Sequence, residues 1–398
     1  MLAYGFFESL AQLPAVDAKW KELEASLAVL RLANEAFARR EIDAGSIAGV
    51  RERIDKVKDF FIRPRLLKIA STIEQGDRRT LRRRLMAFAA DLHARGDFGP
   101  ANDFYSLIVE TASDDIDLQI KALFGSGYAL RMLSQPEAAT EVYELCRALA
   151  RSTRDKHAQL RASLCLASVL TECGKVSAAE SAVRTVLASA RASGQRDVIA
   201  DALINLAWIA GVRHDPSSVI EHSWAAFRDV RDDYKRDRIR LNMATAFREL
   251  KLSTSARRLA THVAHHAHHS DDRIRGNFLL YQLAIDDEDW TTCEGIRAVV
   301  AEAPIVPVLE AEYQEVIARE FATRGDVREA LAAIDRALAV AEEHRLSDAL
   351  RSAKEARDDI RRGIIPAAYE YRPVERIPKS RRRLVARIED ALEELCAA

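Results

Sequence analysis

The residues best suited to coordination chemistry are crowded into the stretch HVAHHAHHSDD. It holds His262, His265, His266, His268 and His269, half of the chain's 10 histidines, just ahead of Asp271 and Asp272. His262 with His266, and His265 with His269, stand four apart, the helical spacing at which two imidazoles can share a zinc, nickel or copper ion. A helix through this stretch gathers Ala260, Val263, Ala264 and Ala267 on one buried stripe and turns His262, His265, His266 and His269 outward together. Two ligands from a single helix leave most of a coordination shell to water, and imidazoles near a helix C-terminus are equally a stable solvated face. The four are therefore weak metal candidates, and no resident metal or other cofactor is expected.

No catalytic constellation accompanies them. There is no phosphate-cradling glycine loop, no H-E-x-x-H pair and no Ser/His/Asp arrangement, and carboxylate pairs such as Asp286 and Asp287 read as helix-end charges. The sequence thus reads as a binding protein and not an enzyme. Cys146, Cys165, Cys173, Cys293 and Cys396 are odd in number and lack the close pairs of a zinc site or a disulfide frame, which points to a reducing cytoplasm. A net charge of −1 removes the overall electrostatic argument for nucleic acid, and the basic runs DRRTLRRRL and KSRRRL read as solvated helix starts. The N-terminal MLAYGFFESLAQL lacks a basic leader and a cleavage site, and no apolar run reaches the ~18 residues of a membrane span. Neither export nor membrane insertion is expected.

The elements that position all of this are helices. The chain has 398 residues, 48% hydrophobic and 30% charged, with only 15 glycines and 10 prolines; few turns and almost no sheet follow. The helices recur. Gly96, Ser134, Gly174, His214, Lys251, Glu288 and Gly325 end successive helices at intervals of 38, 40, 40, 37, 37 and 37 residues. Seven residues before each pivot stand Ala89, Gly127, Ala167, Ala207, Ala244, Tyr281 and Ala318. Five after stand Ala101, Ala139, Ala179, Val219, Ala256, Cys293 and Ala330. Small side chains at both places let two antiparallel helices approach closely. Pro100, Pro136 and Pro216 fall in first turns, where a missing N–H costs nothing, and Asp215 is placed to cap.

With that register, NLAWIAGVRHDPSSV and IAREFATRGDVREAL resemble the tetratricopeptide repeat family, whose unit has Leu-Gly in its first helix, Gly-Asp at the turn and Ala early in its second. The resemblance covers roughly residues 80–345. It departs in period, since the family's unit has 34 residues, which implies helices about a turn longer. HEAT-type repeats, whose period overlaps this one, are the competing architecture. The resemblance implies an all-α fold: a right-handed α-solenoid of about seven helix pairs, flanked by a helical N-terminal module (1–79), a capping helix (346–362), an extended linker (363–378) and a C-terminal amphipathic helix (379–398). Leu384, Ile388, Ala391, Leu392 and Leu395 form the stripe of that last helix. It is expected to dock on the chain's own terminal unit as a monomer, or on a second copy as a homodimer.

The resemblance also implies which positions line a concave groove. Thirteen before the pivots stand Arg83, Lys121, Arg161, Asp201, Arg238, Arg275 and Glu312, a mostly basic rail. Ten before stand Met86, Phe124, Leu164, Ile204, Leu241, Phe278 and Glu315, a mostly apolar floor. Tyr128, Trp208, Thr245 and Gln282 lie a turn further on. Asn205 and Asn242 occupy the place where such an amide holds a ligand's backbone. The expected partner is a protein or peptide, acidic and amphipathic, bound by a cytoplasmic scaffold or adaptor. The alternative is a bacterial peptide-sensing regulator with an N-terminal effector module; a metal-binding protein or an enzyme ranks behind both.

Overall fold

The seven pivot reversals are closed by one backbone device. In the computed structural model of the chain, all seven pivots take positive φ, from 54° at Ser134 and His214 to 86° at Gly325. At every one, the next residue's N–H donates to the carbonyl four before the pivot: Asp97 to Leu92, Gln135 to Leu130, Lys175 to Leu170, Asp215 to Ala210, Leu252 to Phe247, Asp289 to Ala284 and Asp326 to Phe321, at 2.8 to 2.9 Å. This is the Schellman closure, which satisfies carbonyls that a helix end otherwise leaves bare. It needs one left-handed residue, yet four of the seven are not glycine.

The structure describes residues 18–38, 42–344, 346–366 and 379–397. The N-terminal apolar stretch and linker residues 367–378, including Tyr369 and Tyr371, lie outside them. Among the described residues every regular element is a helix, and consecutive helices pack neighbour to neighbour within each of two compact units, Met1–Ala162 and Ser163–Ala398. The first contains α1 (Ala18–Phe37), α2 (Ala44–Asp55), α3 (Ile62–Gln75), α4 (Arg78–Ala94), α5 (Phe98–Thr111), α6 (Ile116–Met132) and α7 (Pro136–Ser152); the division falls within α8 (Lys156–Glu172). Pro64 lies in the first turn of α3, where its missing N–H leaves no helical bond unmade.

The second unit runs through α9 (Val176–Ala192), α10 (Arg196–Val212), α11 (Pro216–Phe227), α12 (Asp233–Glu249), α13 (Ser253–His266), α14 (Ser270–Asp286), α15 (Trp290–Ala301), α16 (Pro307–Arg324) and α17 (Val327–Glu343). It ends with α18 (Ser347–Arg361), α19 (Lys379–Asp390) and α20 (Leu392–Ala397). Its helix pairs are closed by caps the sequence supplies: Asp215, Asp232 and Asp289 accept from the N–H three residues on, and Pro216 begins α11. The small rows on either side of the pivots are buried throughout. Where Tyr281 replaces a small residue, Cys293 faces the same core, and the phenol donates to the wholly buried Glu320.

The two basic runs are not simply solvated. Arg82 of the first reaches Asp114 at 2.6 Å with only 14% of its side chain exposed, and Arg381 of the second bonds Asp215 at 2.8 and 3.0 Å. That second contact corrects the expected destination of the C-terminal stripe. Val385, Ile388, Leu392 and Leu395 are buried, but α19 and α20 sit on α11 and α13, whereas the terminal α17 is covered by α18. The stripe is also broken, because the chain turns at Ala391 between the two helices.

At Gly276 the neighbouring helix approaches with its backbone, so that an added Cβ would stand 2.7 Å from the backbone nitrogen of Ala264. No rotamer relieves a clash with backbone, so Gly276→Ala is expected to destabilise by about 1–3 kcal/mol, against the gain of about 1 kcal/mol that Gly→Ala brings at an open helix site. Glu288, exposed and at φ 55°, makes the opposite case. Glu288→Gly should stabilise by about 1 kcal/mol by relieving the left-handed strain. Urea unfolding of both variants checks the two signs.

Candidate functional site

Three consecutive first helices of the second unit, α12, α14 and α16, present the same faces side by side. Between them lies a cleft of about 320 Å³, lined also by Ala356 of α18 and by Pro366. Leu241, Phe278, Leu279 and Val316 supply its apolar surface; Arg238, Asn242, Thr245, Arg275, Gln282, Glu312, Glu315 and Arg319 supply its polar groups. Phe278 is held by stacking on Tyr313, with centroids 5.5 Å apart and planes 8° from parallel. The volume suits one bulky side chain or a small ligand.

Most of the cleft's charge is internally compensated. Arg275 Nη1 donates to both oxygens of Glu312 at 2.7 and 3.0 Å. Arg319 meets Asp286 at 2.8 Å, and Arg248, 3% exposed, grips the same carboxylate at 2.6 and 3.0 Å while donating to Gln282 Oε1 at 2.8 Å. This network fixes the Gln282 amide and the wall behind it. Arg238 is different: exposed, with its guanidinium 6.0 Å from the centre of the Tyr234 ring. Glu315 is different again. Burial pushes its carboxyl up to about 7, against the 2.8 Å hydrogen bond from Ser352 Oγ that favours the ionised form.

Of the residues singled out in the sequence, the structure brings Arg238, Leu241, Asn242, Arg275 and Phe278 together here. Arg275 is committed to Glu312, so the rail of the second unit reduces to Arg238. The Asn205 amide is occupied on both sides: Nδ2 donates to the Asp201 carbonyl at 2.9 Å and Oδ1 accepts from Ser168 Oγ at 2.9 Å. Leu164 is buried, while Ile204 and Trp208 are half-buried on their own helices. Within the first unit, Arg83 and Lys121 are exposed, Arg161 lies over the Phe124 ring at 4.8 Å, and Tyr128 packs on His93 at 4.6 Å. Sequence reasoning missed Leu279, Val316, Arg319, Ala356 and Pro366 as lining residues. A signal existed for Arg319, which shares the register of Thr245 and Gln282.

The histidine arrangement needs correction. α13 ends at His266, Ala267 is extended, and His269 begins the next helix with φ −93° and ψ 136°, so His265 and His269 do not share a helical face. His262 and His266 do lie together, with centroids 5.1 Å apart and planes tilted by 45°, whereas His265 Nδ1 is turned to the Thr261 carbonyl at 2.8 Å and His269 packs on Tyr234. Among the described residues, no group of three or more His, Cys, Asp or Glu is arranged to hold a metal ion.

Glu315 carries a pH signature. Between its usual 4.5 and about 7 the folded chain binds a proton that the unfolded chain has released, so its contribution to stability is fully present below about 4.5 and is lost as pH rises through 7. Glu315→Gln should remove that decline, worth on the order of 2 kcal/mol after allowing for partial solvent access. Urea melts of both proteins at pH 5 and pH 8 read the difference; parallel pH dependence would show that Glu315 titrates normally.

No family model matches the chain and no curated protein matches it.

Proposed function

We propose that the protein is a non-catalytic interaction scaffold: a right-handed α-solenoid of about seven tetratricopeptide-like helix pairs that binds an acidic, amphipathic protein segment. The observation that carries this reading is the cleft, formed by equivalent positions of three consecutive first helices, with an apolar interior and a polar border. Stacked helix pairs expose such positions along one side, which is how this architecture gathers a ligand surface from residues far apart in sequence. An apolar side chain of the segment enters against Leu241, Phe278 and Val316. A carboxylate beside it meets Arg238, and the Asn242 amide serves the segment's backbone, since it can donate and accept at once.

The five cysteines, none in a disulfide, support placing the protein in a reducing compartment such as the cytoplasm. Among the described residues no helix is long and apolar enough to cross a membrane.

The test is an array of acidic amphipathic peptides, about 15 residues each, screened against the full chain. Arg238→Glu should weaken the best binders by roughly tenfold, about 1.4 kcal/mol, and flatten their salt dependence. Stability should stay within about 1 kcal/mol of wild type, because Arg238 is exposed. Binders indifferent to Arg238→Glu and to Asn242→Ala would remove the cleft from the account.

A further inference from the structure

The two rows that line the cleft change sign on the same helix. The rail is basic at Arg238 and Arg275 and acidic at Glu312; the floor is apolar at Leu241 and Phe278 and acidic at Glu315. Both acidic residues belong to α16, so the cleft has a basic margin on α12 and an acidic one on α16, with α14 packed between them. The two carboxylates differ in their partners. Glu312 is met by Arg275, whose Nη1 bonds both of its oxygens. Glu315 is met by a hydroxyl, the Ser352 Oγ of α18, which donates to its Oε2 at 2.8 Å.

The charges acting on Glu315 are those of Glu312 on its own helix and Glu355 on α18, both of its own sign. The neighbouring cations are engaged elsewhere. Arg275 of α14 faces Glu312, Arg319 one turn along α16 reaches Asp286 at 2.8 Å, and Arg336 of α17 bonds Gln314 Oε1 at 2.9 Å. A carboxyl held in a largely apolar cleft among like charges is a poor host for an anion and a good one for a cation. The cation restores the ionised form and gains an ion pair that water screens little. Apolar side chains beside it, Leu279 and Val316 among them, suit the alkyl stem that carries such a head.

We infer that the cleft is a receptor for a basic side chain: a lysine or arginine of the bound segment lays its alkyl stem along Leu279 and Val316 and pairs its cationic head with Glu315. This rests on the reading of the cleft as a peptide site and gives that site a polarity. The segment is bipolar, with a carboxylate against Arg238 at the α12 margin, an apolar residue against Leu241 and Phe278, and a basic residue at the α16 margin. Complementary charges at the two margins fix the direction in which it crosses the three helices. A segment without the basic residue covers Glu315 and leaves it with no counter-charge, and is selected against for that reason.

Two small probes on the full-length chain test the pairing without a substitution and without a peptide. They are n-hexylamine and 1-hexanol, which share an alkyl stem and differ in the cation. Calorimetry or ligand-observed NMR should show hexylamine binding at least about fivefold more tightly. Its affinity should rise roughly tenfold from pH 6 to pH 8, because the Glu315 carboxyl, at about 7, passes from about one tenth to about nine tenths ionised over that interval. Among the described residues no histidine lines the cleft to add a titration of its own. Glu315→Gln should abolish both the preference and the pH dependence. Equal affinity for the two probes, or a hexylamine affinity that is constant from pH 6 to pH 8, would overturn the inference. Failure of the peptide reading looks different: it shows as peptides indifferent to Arg238→Glu. Peptides that respond to Arg238→Glu but bind unchanged when their lysine is replaced by norleucine count against the basic-side-chain inference alone.

Discussion

Everything in this chain depends on reversing a helix within three residues without leaving its last carbonyls bare. The left-handed pivot does this, and it does so even at Ser134, His214, Lys251 and Glu288, where a side chain makes the conformation unfavourable by about 1–2 kcal/mol. Such a conformation persists only because its surroundings fix it. The surroundings are the buried residues flanking each pivot, small at all but Glu288, where Tyr281 stands, and the carbonyl four residues back, which takes the N–H beyond the turn. Once reversal is fixed at an interval of 37 to 40 residues, equivalent positions of successive first helices are placed side by side.

That regular spacing turns sequence separation into lateral contact. Arg275 meets Glu312 and Ser168 meets Asn205 at a separation of 37, Arg248 meets Asp286 at 38, and Tyr281 meets Glu320 at 39. Opposite charges one period apart on neighbouring first helices therefore become ion pairs within the fold itself. A row of basic residues along such helices overstates the charge offered to a partner wherever an acidic residue occupies the next position in the row. Glu312 does this to Arg275, whereas Asp201, the acidic residue before Arg238 in the row, is paired with Lys235, and the charge of Arg238 acts instead on the buried Asp272.

The same reasoning explains what could be read from the amino-acid sequence. The helical class, the pivots and the buried small rows were legible because they are periodic and local: each depends on residues within about a turn of the reversal. The cleft residues that fall on the repeated rows, such as Arg238, Leu241 and Phe278, were legible for the same reason. Three things were not. The fate of Arg275 depended on a lateral partner whose acidic character broke the row, and a break carries no periodic signal. The end of α13 at His266 carried no signal in the histidine spacing, and α14 follows after a short connection with Gly276 close against the backbone of Ala264. Pro366 and Ala356 come from beyond the repeats, so no register assigned them to the cleft.

The docking of the C-terminal helices shows how far a non-periodic contact can reach. Their apolar stripe demanded burial, and that demand was visible in the helical spacing of Leu384, Ile388, Leu392 and Leu395. The address was not, because it is written in single residues on other helices: Ser218, Ser255 and Arg240. α12 then has two roles. Asp237 and Arg240 on one side hold the tail, while Arg238, Leu241, Asn242 and Thr245 on another line the cleft. A helix so constrained on two faces has little freedom to rotate, since turning it to adjust the cleft would pull Arg240 from the Leu395 carbonyl and leave a buried charge with fewer partners. The seated tail thus holds one wall of the cleft in place.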